Sequence, residues 1–241
     1  MPADVAMFES RFPAPFPGGL PQAVIFDMDG LMLDSERIDR LAWKAVASRH
    51  GQSVSDELYA KTIGRRQVDI EVLVNADFGA VIEFSTFIAE VRRWKLEYLA
   101  GGAVPVKPGV RELLEQLELA GIPRAVATST VRSEALHSLG DLFNRLNAAA
   151  FGDEVSSGKP SPDIYLLAAR RLSVEPDQCL ALEDSYPGVV AAERAGMTAI
   201  MVPDLVAPDA RVRFLCHSLS DVHNWLLRSH GCSQCESALS T

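Results

Sequence analysis

Short runs of apolar residues recur along the chain and predict its strands. They cover residues 23–26, 125–127, 148–151, 179–182 and 198–202. Runs that are apolar at every position are typical of strands buried on both faces of a parallel sheet. From residue 108 onward these runs alternate with segments in which apolar residues recur at helical spacing. The alternation predicts an α/β fold built on a doubly wound parallel sheet.

The segment between the first two apolar runs has a different pattern. Residues 34–104 contain helical spacing only, with predicted helices at about 34–50, 55–64, 67–76 and 80–99. Gly51 and the pair Gly101-Gly102 end the first and last of these helices. We interpret residues 34–104 as an all-helical domain inserted into the α/β domain, with its own small core.

The two ends of the chain lie outside these patterns. Residues 1–20 are rich in proline and are predicted to be a leader, extended or mobile. The α/β core is then predicted to comprise 21–33 and 105–229, followed by a disordered tail over 230–241. That tail holds His230, Cys232, Cys235 and Glu236. A single C-x-x-C could bind a metal or form a disulfide, but without a second pair a bare tail is the favoured interpretation.

Composition excludes several classes of function. The formal net charge is −9, which argues against nucleic acid and anionic membranes as partners. No apolar run approaches the length of a membrane span, and no signal peptide is evident. Four cysteines at irregular spacing favour a reduced, cytoplasmic setting over a disulfide framework. No coiled-coil pattern indicates an obligate oligomer, so a monomer is expected.

An acidic pair directly follows the first predicted strand. Asp27 and Asp29 come after the apolar run and precede Gly30. Ligands of parallel α/β sheets bind at the carboxyl ends of the strands, and side chains two residues apart on extended chain lean to the same face. Two such carboxylates repel unless they share a proton or a cation, and Mg²⁺ prefers oxygen ligands. A polar turn at the end of a strand explains the same residues, and this pair alone leaves both interpretations open.

Three later strands are followed by residue types that phosphoryl chemistry uses. Thr128 and Ser129 follow the second strand, Lys159 lies in the loop after the third, and Glu183-Asp184 ends the fourth. Each is individually typical of a helix cap, a solvated lysine or a turn. Their common position at strand carboxyl ends favours one anion-handling site that combines carboxylates, hydroxyls and a cation.

These motifs together resemble those of the haloacid dehalogenase superfamily, in the branch of β-phosphoglucomutase-like phosphatases with a helical cap. Asp27-Met28-Asp29-Gly30 is similar to the first motif of that family, Thr128 or Ser129 to the second, Lys159 to the third and Glu183-Asp184 to the fourth. The surrounding residues at 108–109, 158–165, 183–188 and 195–197 match as well, and the resemblance covers about residues 21–229.

The resemblance implies a Rossmann-like core and a role for each motif residue. Asp27 would be the nucleophile that forms an aspartyl-phosphate, and Asp29 the acid and base that protonates the leaving alcohol and activates water. It further implies that Asp27, Asp29, Glu183 and Asp184 would hold Mg²⁺, and that Thr128, Ser129 and Lys159 would bind the transferring phosphoryl group. Burial of Asp29 beneath the cap is expected to favour its protonated form.

The helical insert would then be a mobile cap that closes over the site. Arg65 and Arg66, next to Gly64, are the candidate cap residues for substrate contact, although an exposed helix end explains them equally well. The expected hinges are Gly101-Gly102 and residues 31–34.

The resemblance leaves several functions in competition. A Mg²⁺-dependent phosphatase of a small phosphorylated metabolite, such as a sugar phosphate, is the leading hypothesis, and a phosphosugar mutase of the β-phosphoglucomutase type is the alternative. Metal-independent dehalogenases lack the second acid of the first motif, whereas Asp29 is present. A non-catalytic binding protein would not need the complete residue set. The mutases carry a histidine four residues before a tryptophan, and here Asp39 precedes Trp43. An aspartate cannot do the work of a neutral imidazole, and its negative charge would disfavour a phosphorylated sugar nearby, so we expect a phosphatase.

Overall fold

The computed structural model describes residues 8–14, 16–78, 82–100 and 102–229. In this part of the chain a five-stranded sheet has the order β3-β2-β1-β4-β5. The strands are β1 Ala23–Phe26, β2 Arg124–Ala127, β3 Ala148–Ala150, β4 Cys179–Glu183 and β5 Thr198–Met201. All neighbouring pairs are parallel. The predicted fold class is therefore confirmed, and β1 occupies the centre of the sheet.

Side chains alternate between the two faces of the sheet and bury both. Val24 and Phe26 of β1 belong to one apolar cluster, whereas Ala23 and Ile25 belong to a second. The insert contributes the first four helices of the chain, which are described below. The helices that follow it are α5 Val110–Leu119, α6 Arg132–Leu139, α7 Asp163–Leu172, α8 Tyr186–Arg194 and α9 Leu219–Ser229. Helices α5 and α9 pack on the first face, and α7 and α8 on the second. Burial on both faces explains why the strands are apolar throughout.

The insert consists of four helices in its described residues. They are α1 Ser35–Arg49, α2 Asp56–Ala60, α3 Gln67–Phe78 and α4 Phe84–Tyr98. A third apolar cluster lies entirely within this segment apart from Leu205, and α1 packs along α4. Ile38 and Val104, near the two ends of the insert, join the core cluster instead. The cap therefore has its own core, and its ends are anchored in the α/β domain.

Local signals place most helix starts within a residue or two. Ser55 accepts a hydrogen bond from the Leu58 amide at 3.0 Å and Ser185 one from the Gly188 amide at 3.3 Å, so both act as N-caps. Serine is a common N-cap residue, but at the start of α7 it is Pro162, next to Ser161, that holds the cap position. The Ser161 hydroxyl instead donates to the Asp163 carboxylate at 2.9 Å.

The described part of the expected leader is attached to the core. Arg11 pairs with Leu215 through backbone hydrogen bonds, and Phe12 stacks on Trp225 of α9. Phe16 is buried in the first apolar cluster. Aromatic side chains thus hold a segment that its prolines predicted to be mobile. Gly101, Cys232 and Cys235 lie outside the described residues.

Within the described residues, no helix combines the length and apolar character needed to cross a bilayer.

Candidate active site

The carboxyl ends of β1 and β4 bring the predicted acidic residues together. These strands are neighbours in register, with Phe26 opposite Leu182, so Asp27 and Glu183 follow at the same edge. Asp27, Glu183 and Asp184 are buried, and one carboxylate oxygen from each lies within 4.8 Å of the others. Residues more than 150 positions apart in the chain therefore form one cluster, because parallel strands end on the same side of a sheet.

Lys159 lies inside this cluster and is buried with it. Its ammonium group contacts Asp27 Oδ1 and lies 2.5 Å from Glu183 Oε1. Burial opposes the charge of an ammonium, but the attraction of Asp27 and Glu183 outweighs it and raises the pKa of Lys159 above its usual value. Lys159 therefore stays positively charged beside Asp27.

The Glu183 carboxylate is held on both of its oxygens. Oε1 accepts hydrogen bonds from Lys159 and from the Tyr165 hydroxyl, each at 2.5 Å, and Oε2 accepts one from Ser185 at 3.0 Å. Sequence reasoning placed Tyr165 in a matching motif but assigned it no part in the site. Its hydroxyl reaches Glu183 from α7, a contact that no local pattern reveals.

The acidic cluster fits a divalent cation. Burial raises the pKa of Asp27 to about 8 against the opposing attraction of Lys159. Burial, then repulsion from Asp27 and Glu183, raises the pKa of Asp184 well above its usual value. Mutual repulsion disfavours the ionised form of these carboxyl groups. A hard cation bound between their oxygens would stabilise the ionised form. Gly30 leaves room for this arrangement, because a Cβ there would lie 2.1 Å from Asp184 Oδ2.

Asp29 differs from its neighbours, because it is half-buried and faces a cavity. Its Oδ1 accepts a hydrogen bond from Ser35 at 2.7 Å, and Oδ2 one from Thr130 at 2.7 Å. Asp29 therefore lies beneath the cap as a partly buried carboxylate with a hydroxyl donor on each of its oxygens. Thr130 was missed as a site residue, although its position two residues after Thr128 on the same strand end was an available signal.

Thr128 and Ser129, both predicted to bind phosphate, point in different directions. Thr128 is buried, and its hydroxyl accepts from the Thr130 amide at 3.0 Å and lies 3.4 Å from Asp29 Oδ2. The Ser129 hydroxyl donates to the Gly64 carbonyl of the cap at 2.9 Å. Thr128 therefore lies with the acidic residues, whereas the Ser129 side chain is engaged by the cap.

A cavity of about 170 Å³ lies between the core and the cap. Asp27, Asp29 and Thr128 line it on the core side, and Arg65 lines it on the cap side. Within the described residues the Arg65 guanidinium has no hydrogen-bond or ion-pair partner. Arg66 does not line the cavity, and its side chain contacts the core instead. The two adjacent arginines thus separate, and only Arg65 is placed as predicted for a substrate contact.

Four further charged side chains that line the cavity form two ion pairs. Lys95 lies 2.6 Å from Asp39, and Arg92 lies 2.5 Å from Glu134. Sequence reasoning treated Asp39 as a negative charge that would repel a phosphorylated sugar. That reason is wrong, because Lys95 of α4 balances the charge. The second pair joins α4 of the cap to α6 of the core.

The family model for haloacid dehalogenase-like hydrolases matches residues 21–196. The chain belongs to this family. The match includes all four motifs, from Asp27 to Asp184, and both the core and the cap.

Related proteins and structures agree with the family. The chain is 36% identical over 184 residues to a phosphorylated carbohydrates phosphatase of Thermotoga maritima, covering 74% of this chain and 83% of that one. It is 33% identical over 188 residues to a probable pseudouridine-5'-phosphatase of Drosophila melanogaster, covering 75% and 80%. A crystal structure of a putative β-phosphoglucomutase from Thermotoga maritima superposes with a TM-score of 0.68 and 32% identity, covering 86% and 98%. The family and the phosphoglucomutase-like branch predicted from the motifs are confirmed.

Proposed function

We propose that this chain is a Mg²⁺-dependent phosphatase that hydrolyses a small phosphorylated metabolite, of the sugar phosphate class, through an aspartyl-phosphate on Asp27. The observation that carries the proposal is the contact of Asp27 with Lys159 at the floor of a cavity that Asp29 also lines. A nucleophile, a fixed cation and a second carboxylate then face one bound group.

Asp27 is suited to attack because only one of its oxygens is engaged. Lys159 donates to Oδ1, and no described residue donates a hydrogen bond to Oδ2. In the first step an Asp27 oxygen bonds to phosphorus while the bond to the substrate oxygen breaks, and Asp29 gives that oxygen a proton. In the second step water attacks phosphorus, Asp29 takes its proton, and inorganic phosphate leaves with Asp27 restored.

Side chains of the protein and a bound metal ion would together bind the phosphoryl group. Lys159 and the Thr128 hydroxyl would bind phosphoryl oxygens next to Asp27. Asp27 and Asp184 would hold Mg²⁺, with Glu183 beside them and the Asp29 backbone as a further donor. Bound there, the cation would offset the charge that accumulates on the phosphoryl oxygens. Since both Glu183 oxygens are already hydrogen-bonded, its principal contribution would be to orient Lys159.

The shape of the site supports a small leaving group. The cavity is about 170 Å³, and its cap side combines Arg65 with apolar residues such as Ile88 and Val91. Closure of the cap would exclude bulk water from the carboxylates. The named phosphatase relatives support the same reaction class.

The unpaired, buried Cys179 and Cys216 support a reducing, cytoplasmic setting.

The test is a screen of hexose, pentose and triose monophosphates for phosphate release with Mg²⁺. We expect activity that excess chelator removes and Mg²⁺ restores, and inhibition by Ca²⁺, which prefers more ligands and longer bonds. Activity that persists in excess chelator would contradict the metal assignment. Failure to release phosphate from any monophosphate would contradict the phosphatase assignment.

A phosphosugar mutase is the second candidate, favoured by the likeness to a putative β-phosphoglucomutase structure. A mutase returns the phosphoryl group to a sugar hydroxyl, whereas a phosphatase passes it to water. Conversion of β-glucose 1-phosphate to glucose 6-phosphate, measured beside phosphate release, separates the two. Isomerisation with little released phosphate would select the mutase.

A further inference from the structure

The loop that carries Lys159 is contacted by a side chain of the cap. Arg66, between α2 and α3, donates from Nη1 to the Val155 carbonyl at 3.1 Å and to the Ser156 carbonyl at 3.0 Å. The other atoms of its guanidinium face the cap, where Nε lies 3.1 Å from Asp69 Oδ2. Arg66 therefore joins the first turn of α3 to the backbone that leads into Lys159.

Gly158 lets Arg66 lie directly on this loop. A Cβ at Gly158 would stand 2.5 Å from Arg66 Nε and 2.9 Å from both Cδ and Cγ. The stem of Arg66 therefore rests on the backbone of the residue immediately before Lys159. The Arg66 side chain is only 16% exposed in this position.

The same cap turn also contacts the loop after β2. The Gly64 carbonyl accepts a hydrogen bond from Ser129 at 2.9 Å, next to Thr128. Residues 64–66 thus contact the two core loops whose residues would bind the phosphoryl group. Both contacts exist only when the cap lies against the core.

We propose that Arg66 is a positioning residue that fixes the loop 155–158, and through it Lys159, when the cap closes. A charged donor on two carbonyls is stronger than a neutral hydrogen bond, and it limits how far the loop can move. Lys159 would then reach its place on Asp27 in step with closure. The inference rests on the proposed function only in the role it gives to Lys159.

The first test measures hydrogen exchange of the peptide that spans residues 152–161 in the metal-free protein. Arg66→Ala removes charged hydrogen bonds that typically contribute about 1.5–3 kcal/mol. We therefore expect the exchange rate of this peptide to rise roughly tenfold or more in Arg66→Ala. Arg66→Lys keeps one charged donor and should restore part of the protection. Unchanged exchange in Arg66→Ala would overturn the proposal.

Two control variants separate the loop contact from general damage to the cap. Glu134→Ala breaks the ion pair between α4 and α6 but keeps the hydrogen bond from Arg92 to Gln67, and it should leave exchange at 152–161 unchanged. Asp69→Asn removes the negative charge that Arg66 pairs with in α3, while Nη1 keeps both carbonyls. If either control reproduced the whole effect of Arg66→Ala, loosening of the cap would be the cause and the proposal would fail.

A second test approaches the contact from the core side. Gly158→Ala should displace the Arg66 stem and lower kcat severalfold in the wild-type background, with a smaller effect on KM. In the Arg66→Ala background the stem is absent, so Gly158→Ala should change kcat little further. Equal losses in both backgrounds would show that the methyl group acts on something other than Arg66 and would overturn the proposal.

The outcomes distinguish this inference from the proposed function. Wild-type protein that releases no phosphate would refute the phosphatase, while the exchange comparison would still decide whether Arg66 fixes the loop. Wild-type phosphatase activity with unchanged kcat and exchange in Arg66→Ala would refute the positioning role alone.

Discussion

The core wall and the cap wall of the cavity differ in how deeply their charged side chains are buried. On the core wall, Asp27 lines the cavity and clusters with Lys159 and Asp184. All three residues are at most 5% exposed, and their charges interact at close range in a poorly hydrated site. On the cap wall, the Arg92 side chain is 44% exposed and its partner, Glu134 of α6 in the core, is 42% exposed, so water screens their attraction. The core wall is therefore rigidly arranged for one chemistry, whereas the cap wall can change with little effect on stability.

The largest expected effect comes from Asp27→Asn. An amide of the same shape cannot act as the nucleophile, so phosphate release should fall below detection while circular dichroism stays unchanged. The matched control is Asp141→Asn, which alters an exposed pair with Arg111 and does not line the cavity. Substantial residual activity in Asp27→Asn, with normal activity in the control, would contradict the assignment of the nucleophile.

Asp29→Asn should have the next largest effect. Loss of proton transfer typically lowers the rate by ~10²–10⁴-fold. The loss should be smaller for p-nitrophenyl phosphate than for a sugar phosphate, because nitrophenolate leaves without a proton. Equal losses for both substrates would indicate that Asp29 acts by holding the site together rather than as the acid.

Arg65→Ala tests the adjustable cap wall. Since its guanidinium has no partner among the described residues, it is available to a substrate, and its loss should lower kcat/KM about tenfold, mainly through KM. The melting temperature should not change, because no contact within the described residues is lost. A fall in kcat at constant KM would instead place Arg65 in the chemical step.

The prediction with the smallest expected effect on activity concerns stability, which should depend on pH through Glu36. Burial, then repulsion from Asp39, raises the pKa of Glu36 from 4.5 to about 8. The folded state thus retains a proton that the unfolded state releases, so stability is full below about pH 4.5 and declines as the pH rises toward 8. Glu36→Gln cannot titrate and should remove up to ~1.4 kcal/mol per pH unit of this decline.

The measurement is urea unfolding in chelator between pH 5 and pH 8. Asp56→Asn is the control, because its carboxyl is exposed in the same cap and pairs with Lys44, which holds its pKa below the usual value. It should follow the wild type throughout this range. A wild-type slope that Glu36→Gln leaves unchanged would contradict the protonation of Glu36.

Prediction from sequence succeeded best for the core wall. The residues Asp27, Lys159 and Asp184 follow apolar runs, and parallel strands place such positions at one edge. It succeeded least on the cap wall, where Arg66 was grouped with Arg65 by adjacency and Asp39 was treated as a negative charge facing the substrate. Neighbouring residues in a turn point in different directions, and an ion pair such as Asp39–Lys95 joins two helices whose packing no local pattern specifies.

The sequence by itself determined the order of strands and helices along the chain, the helical insert and the four motifs, because apolar periodicity and local residue types act over a few residues. Only the tertiary structure decided that Thr130 reaches Asp29 across 101 positions, that Arg66 reaches Val155 across 89, and that Tyr165 supports Glu183. Such contacts depend on how helices and loops pack against the sheet, and packing brings together side chains that are far apart in the chain.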